Sequence, residues 1–168
     1  MRRQLRVASP VQAAGRAIAE LARWLEEHPE VKTVAIYAAL PGEVDLAEIV
    51  REHPTRRWAF PKVTAAGEMQ FYEVADPASQ LVPGAFKILE PCDSLARLAV
   101  REIDAFVCPG IAFDRRGGRL GRGLGFYDRV LAEARADAYK IGVCFGFQCV
   151  EDTFAERHDV PMHHVIAD

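Results

Sequence analysis

Hydrophobic positions change their spacing along this chain, and each change marks an element. Between Pro10 and Glu27 the apolar residues Val11, Ala14, Ile18, Leu21, Ala22 and Leu25 recur every three or four positions, which predicts an amphipathic helix. Ser9 suits its N-cap and Pro10 its first position, and His28-Pro29 ends it. Val31–Leu40 then reads as a buried strand rich in valine and isoleucine. Val44–Glu52 reads as a short helix stopped by His53-Pro54. Arg57–Val63 and Met69–Val74 read as strands joined by a turn at Ala65-Ala66-Gly67. Asp76–Cys92 holds three prolines and little periodicity, so it is expected to be an extended excursion. Ile103–Cys108 and Lys140–Phe145 are further apolar strands, on either side of a loop and a helix at Phe126–Ala136.

Continuous apolar strands alternating with helices predict an α/β fold whose mainly parallel sheet is covered on both faces. A chain of 168 residues fits one domain spanning its whole length. In such folds ligands bind beyond the carboxyl ends of the strands. The segment PGIAFDRRGGRLGRGLGFYD, residues 109–128, falls there. Five of its glycines (117, 118, 121, 123 and 125) let backbone N–H groups approach a ligand, and Arg119 and Arg122 add planar charged forks. Strand, glycine-arginine loop and helix start together form an anion cradle suited to a polyphosphate.

Neither a Walker A lysine nor G-x-G-x-x-G spacing is present. A flexible, merely solvated linker is the alternative. The flanking strand and helix, and the bulky Leu120, Leu124, Phe126 and Tyr127, favour the cradle. Asp128 can cap the helix or hold Mg²⁺ through oxygen.

Composition narrows the partners. Half the residues are apolar, 27% are charged and the net charge is −3, so the arginines gathered in the glycine loop suit a small anion better than a nucleic acid. Neither a membrane span nor a secretory leader is expected. Four cysteines without CxxC spacing fit reduced thiols in a cytoplasm. Glu43 and Asp45 can bind polar ligand groups or simply begin the following helix. Lys62 can reach a phosphate or remain a solvated strand-end cation. His158, His163 and His164 lack helical metal-ligand spacing and suit structural or exposed roles.

Taken together, PGIAFDRRGGRLGRGLGFYDRVL, Gly42-Glu43-Val44-Asp45, Phe60-Pro61, Leu89-Glu90-Pro91, Gln148 and His158-Asp159-Val160-Pro161 resemble the 5-formyltetrahydrofolate cyclo-ligase family over nearly the whole chain. The resemblance implies a three-layer α/β/α fold related to the sugar-phosphate isomerase and CoA-transferase group. It also implies ATP- and Mg²⁺-dependent conversion of 5-formyltetrahydrofolate to 5,10-methenyltetrahydrofolate through an iminophosphate, releasing ADP and phosphate. Arg119, Leu120, Gly121, Arg122, Gly123, Leu124, Gly125, Phe126 and Tyr127 would then bind ATP. Arg122 would face the transferred group as the catalytic residue, and Arg122, Gly123, Leu124, Gly125 and Phe126 would also touch folate. Glu43 would orient the pterin or formyl end, and Asp128 would hold the metal.

Three departures from the family pattern stand out. The family begins with a lysine and, four residues on, an arginine, both facing ATP. The arginine's place falls on Arg2, with Arg3 or Arg6 as substitutes, and the lysine's falls before residue 1. His163 stands where the family's second magnesium-binding aspartate is expected, which brings in Mn²⁺ as an alternative ion. Leu124 replaces a commonly small or basic residue. These departures keep a folate- or nucleotide-binding homologue with little activity as a second reading. A sugar-phosphate isomerase on a similar fold is a third.

Overall fold

The computed structural model describes residues 10–84 and 87–168, so the expected N-cap Ser9 and the ATP ligand assigned to Arg2 lie outside the described residues. Helix α1 (Pro10–Glu27) is followed by β1 (Thr33–Ala35), α2 (Ala47–Glu52), β2 (Arg57–Val63) and β3 (Met69–Glu73). One helical turn, α3 (Pro77–Gln80), leads into β4 (Leu81–Pro83), β5 (Leu89–Pro91), β6 (Arg97–Leu98) and β7 (Ala105–Cys108). The chain ends through β8 (Ala112–Asp114), β9 (Arg119–Leu120), α4 (Phe126–Glu133), β10 (Tyr139–Cys144), β11 (Cys149–Val150) and β12 (His164–Ala167).

Seven strands form the main sheet in the order β12-β10-β7-β1-β2-β3-β6. The five from β12 to β2 run parallel, and β3 and β6 complete one edge antiparallel. The strand period of two splits this sheet into two buried faces. On β7, Ala105 and Val107 join one core cluster, while Phe106 and Cys108 join the other. On β2, Trp58 and Phe60 point one way and Ala59 the other. Helix α1 lays Ala13, Ala17, Leu21, Trp24 and Leu25 on the first face beside Ile49 and Val50 of α2. Helix α4 covers the second face with Val130 and Leu131. Both faces being dry explains why these strands read as unbroken apolar runs. The expected α/β/α layering is what the chain adopts.

Several boundaries differ from the sequence expectation. The strand expected over 31–40 stops at Ala35. One further rung, Ile36 N–H to the Ala59 carbonyl at 2.9 Å, precedes the chain's departure from the ladder. The helix expected from Val44 begins at Ala47, because Tyr37 Oη donates to the Val44 carbonyl (2.9 Å) and Asp45 Oδ1 accepts the Ala47 N–H (3.0 Å). The excursion at 76–92 contains α3, whose first amides are bound by Asp76, and the antiparallel hairpin β4–β5. The glycine-rich segment is more ordered than a loop. Strands β8 and β9 pair antiparallel within it, and β11 adds to β8 as a third strand.

Candidate functional site

All ten residues from Arg119 to Asp128 line one cavity of 660 Å³. It opens where parallel strands end, with Tyr37 and Leu40 beyond β1, Pro61 and Val63 at the end of β2, and Pro109 and Gly110 beyond β7. Glu43 lies in the same wall. The placement expected for a ligand is therefore occupied by the predicted cradle.

A buried carboxylate holds the cradle in shape. Asp114 Oδ1 accepts the N–H groups of Arg116 (2.8 Å) and Gly118 (3.0 Å), closing the β8–β9 turn. Its Oδ2 accepts from the Thr153 hydroxyl (2.6 Å) and the Thr153 N–H (3.0 Å), which ties that turn to the C-terminal wall of the cavity. The Thr153 hydroxyl above all, then the backbone amides, hold the Asp114 carboxyl well below the usual carboxylate range against the opposing effect of burial. Beyond β9 the backbone needs positive φ at Gly123 (+82°) and Gly125 (+66°). A Cβ on Gly123 would meet nothing within 4 Å, so backbone conformation and not crowding calls for glycine there. Gly125 caps α4 without a side chain, leaving the helix's amino end open to the cavity. Unpaired N–H groups at such an end favour an anion.

The two arginines play different parts. Arg119 is only 5% exposed at its side chain, and its Nη2 meets Asp128 Oδ2 at 3.1 Å. Its guanidinium carbon stands 5.4 Å from the Tyr127 ring centroid, and its Nε is buried without a partner. Arg122 is 55% exposed, and its Nη2 meets Glu43 Oε1 at 3.1 Å. Glu43 is nearly buried, and its Oε2 accepts the Leu40 N–H at 2.9 Å. Arg119 thus forms a fixed positive floor, whereas Arg122 is a solvent-side prong held from below.

The structure separates the remaining alternatives. Of the pair after β1, Glu43 faces the cavity and Asp45 serves the start of α2. Lys62 points away from the cavity that its neighbours Pro61 and Val63 line, and meets Asp93 Oδ1 at 2.5 Å. Asp128 lines the cavity, and its second oxygen accepts the Val160 N–H at 3.2 Å, so it joins α4 to the C-terminal loop. His158 lines the cavity, exposed beside Glu156 and Asp159. His163 does not take an aspartate's place at the site. Its Nδ1 accepts the Lys140 N–H at 3.2 Å near the amino end of β10, at the end of the parallel strands away from the cavity. The aspartate that does reach the cavity from this segment is Asp159.

Tyr37, Thr153, Phe154 and Glu156 also line the wall and carried no sequence signal of a role. Burial first, and then the charge of Glu43, raise the Tyr37 phenol above its ordinary range, keeping it a neutral donor. Around the cavity, among the described residues, five carboxylates (Glu43, Glu90, Asp128, Glu156 and Asp159) face two arginines. No group of three metal-ligating side chains is assembled among the described residues. Mg²⁺ is commonly held by one or two carboxylates together with phosphate oxygens and water, and Asp128 and Asp159 supply that donor chemistry. No described helix is long and apolar enough to cross a membrane.

Comparison with known proteins points one way. The 5-formyltetrahydrofolate cyclo-ligase family matches residues 1–168. The Escherichia coli K12 5-formyltetrahydrofolate cyclo-ligase is 32% identical over 140 residues, covering 80% of this chain and 76% of that protein. The Mycolicibacterium smegmatis protein of the same name is 42% identical over 87 residues, 51% of this chain and 45% of its own length. The solution structure of Aquifex aeolicus 5,10-methenyltetrahydrofolate synthetase matches with a TM-score of 0.80 at 33% identity, over 95% of this chain and 81% of that one.

Proposed function

The chain belongs to the 5-formyltetrahydrofolate cyclo-ligase family, and from that premise we propose that its strand-end cavity converts 5-formyltetrahydrofolate to 5,10-methenyltetrahydrofolate at the expense of ATP. The observation that carries this reading is the single cavity lined by the whole segment Arg119–Asp128 and by Glu43. In the proposed reaction the formyl oxygen attacks the γ-phosphorus and ADP departs. The folate N10 then adds to the activated formyl carbon and loses its proton. The C–O bond to phosphate then breaks, and the nitrogen lone pairs make the ring carbon the methenyl bridge between N5 and N10.

Phosphoryl transfer asks a protein mainly for positioning and for neutralisation of charge. The open amides at Gly125 and Phe126 and the Arg119 floor bind the phosphate chain. Arg122 releases Glu43 to follow charge onto the transferred group. Glu43, anchored through the Leu40 amide, orients the polar edge of the pterin. Asp128 and Asp159 would hold a Mg²⁺ ion brought in with the nucleotide, which would supply further neutralisation of charge. Five carboxylates against two arginines make such a cation fit the described wall. A small-molecule reaction of this kind fits a cytoplasmic enzyme without nucleic-acid or membrane partners.

The test is incubation of the purified chain with 5-formyltetrahydrofolate, with and without MgATP, while methenyl absorbance is followed. Absorbance that grows only with ATP is the expected result. Folate binding without any ATP-dependent product would contradict catalysis and leave a binding protein.

A further inference from the structure

We propose that Cys144 and Cys149 form a reversible oxidation site, closing to an intrachain disulfide with a peroxide as oxidant. Their sulfurs stand 3.9 Å apart. Cys144 ends β10 in the buried core, and Cys149 opens β11 at the exposed surface. The other two thiols are placed differently. Cys108 is buried, with burial pushing it up to about 12, and Cys92 donates to the Gln80 carbonyl at 3.0 Å.

Exposure makes Cys149 the sulfur that meets oxidant, while burial first, and Cys149 second, push the Cys144 thiol up to about 12. The Cys149 thiolate attacks one peroxide oxygen, the O–O bond breaks, and the departing hydroxide takes up the proton that the thiol had released, so that a sulfenic acid and one water result. Cys144 sulfur then displaces hydroxide from that sulfenic sulfur, its own proton completing the second water. Each sulfur gives up one electron and the peroxide takes two. Shortening the gap to a bond of roughly 2.05 Å requires a closing motion of about 2 Å, within the reach of side-chain rotation at the exposed residue.

The same short segment supports the cavity. Between the two cysteines, Gln148 Nε2 donates to the carbonyls of Gly110 (2.8 Å) and Ile111 (3.2 Å), and its Oε1 accepts the Phe145 N–H (2.9 Å). Gly110 lines the cavity. In β11, Cys149 pairs with Phe113 and Val150 with Asp114, the residue that fixes the cradle's turn. Drawing Cys149 inward therefore pulls on both supports, and the oxidised protein should turn over substrate more slowly.

The experiment treats the reduced full-length chain with a small excess of hydrogen peroxide, then unfolds and alkylates it. A mass lower by about 2 Da before alkylation, two alkylated thiols after it, and a Cys144–Cys149 cross-linked peptide reversed by dithiothreitol are expected. Four alkylated thiols, a bridge involving Cys92 or Cys108, or a dimer linked between chains would overturn the assignment. Cys149→Ser, at an exposed position outside the cavity wall, should fold normally and lose the mass change. Cys144→Ser should leave Cys149 as a sulfenic acid that dimedone captures, and failure of that capture counts against the order of steps. These readouts involve neither folate nor nucleotide, so they stand or fall separately from the proposed reaction. ATP-dependent turnover of the wild type should fall roughly tenfold on oxidation and recover on reduction, while Cys149→Ser stays constant. Unchanged turnover in a fully bridged sample would refute the link to the cavity.

Discussion

Arg122 and Glu43, 79 positions apart in the chain, meet as an ion pair across 3.1 Å at the mouth of the cavity. The arginine is largely exposed and the glutamate nearly buried, so the pair presents positive charge outward over a fixed negative anchor. Exposed pairs add little to stability. Arg122→Ala should therefore shift stability by less than about 1 kcal/mol while lowering kcat by roughly 10²- to 10³-fold. Thermal melting beside steady-state kinetics checks both halves, and full activity in the variant would remove Arg122 from the reaction.

Glu43→Gln keeps the shape of that anchor and removes its charge. The expected outcome is weaker folate binding, seen as a raised KM for the folate with a smaller change in KM for ATP. Equal effects on the two substrates would argue against its place at the pterin.

Arg119 and Asp128 form the buried counterpart. Removing the carboxylate with Asp128→Ala leaves a guanidinium enclosed without its partner, a loss of about 3 kcal/mol. The same variant should need more Mg²⁺ to reach half-maximal rate. Unfolding and Mg²⁺-dependence measurements on one sample separate the two effects.

Asp114 predicts an acid response. Its carboxyl is more acidic folded than unfolded, so it stabilises the native state above the ordinary carboxylate range, about pH 4, and that stability is lost as pH falls below it towards the native value. Asp114→Asn should melt well below the wild type at pH 7, and the gap should narrow as the pH is taken down to about 3. A gap independent of pH would mean that shape, and not charge, holds the turn.

His163 gives the opposite-ended test. Burial, then the charges of Lys140 and His164, lower its pKa from 6.5. Its neutral form accepts the Lys140 amide, so this contribution is present above pH 6.5 and is lost as pH falls through the lower native value. An NMR titration should show a midpoint below 6.5. His163→Asp should leave the Mg²⁺ dependence of turnover unchanged.

Much of this architecture was legible because its cause is local. The period of α1 and the unbroken apolar runs of β7 and β10 follow directly from burial of one helix stripe and of both sheet faces. The place of the glycine-arginine segment in the cavity wall was legible because those residues have narrow chemical uses at a strand end. What escaped was set by partners distant in sequence. Strands β8, β9 and β11 are two or three residues long, too short for a period, and exist because Asp114 binds Thr153 across 39 positions. The resemblance put His163 at the metal, but register decides otherwise: His164 of β12 pairs with Ile141 of β10, which carries His163 to the far end of the sheet and leaves Asp159 at the cavity.

In the proposed reaction the wall from Arg119 to Tyr127 grips a nucleoside triphosphate. Calorimetric titration of the reduced protein with MgATP, with Arg119→Gln beside the wild type, measures that grip. Saturable binding at one site per chain is expected in the wild type, with its loss or strong weakening in the variant. Absence of heat from the wild type, or an affinity untouched by the substitution, would contradict it.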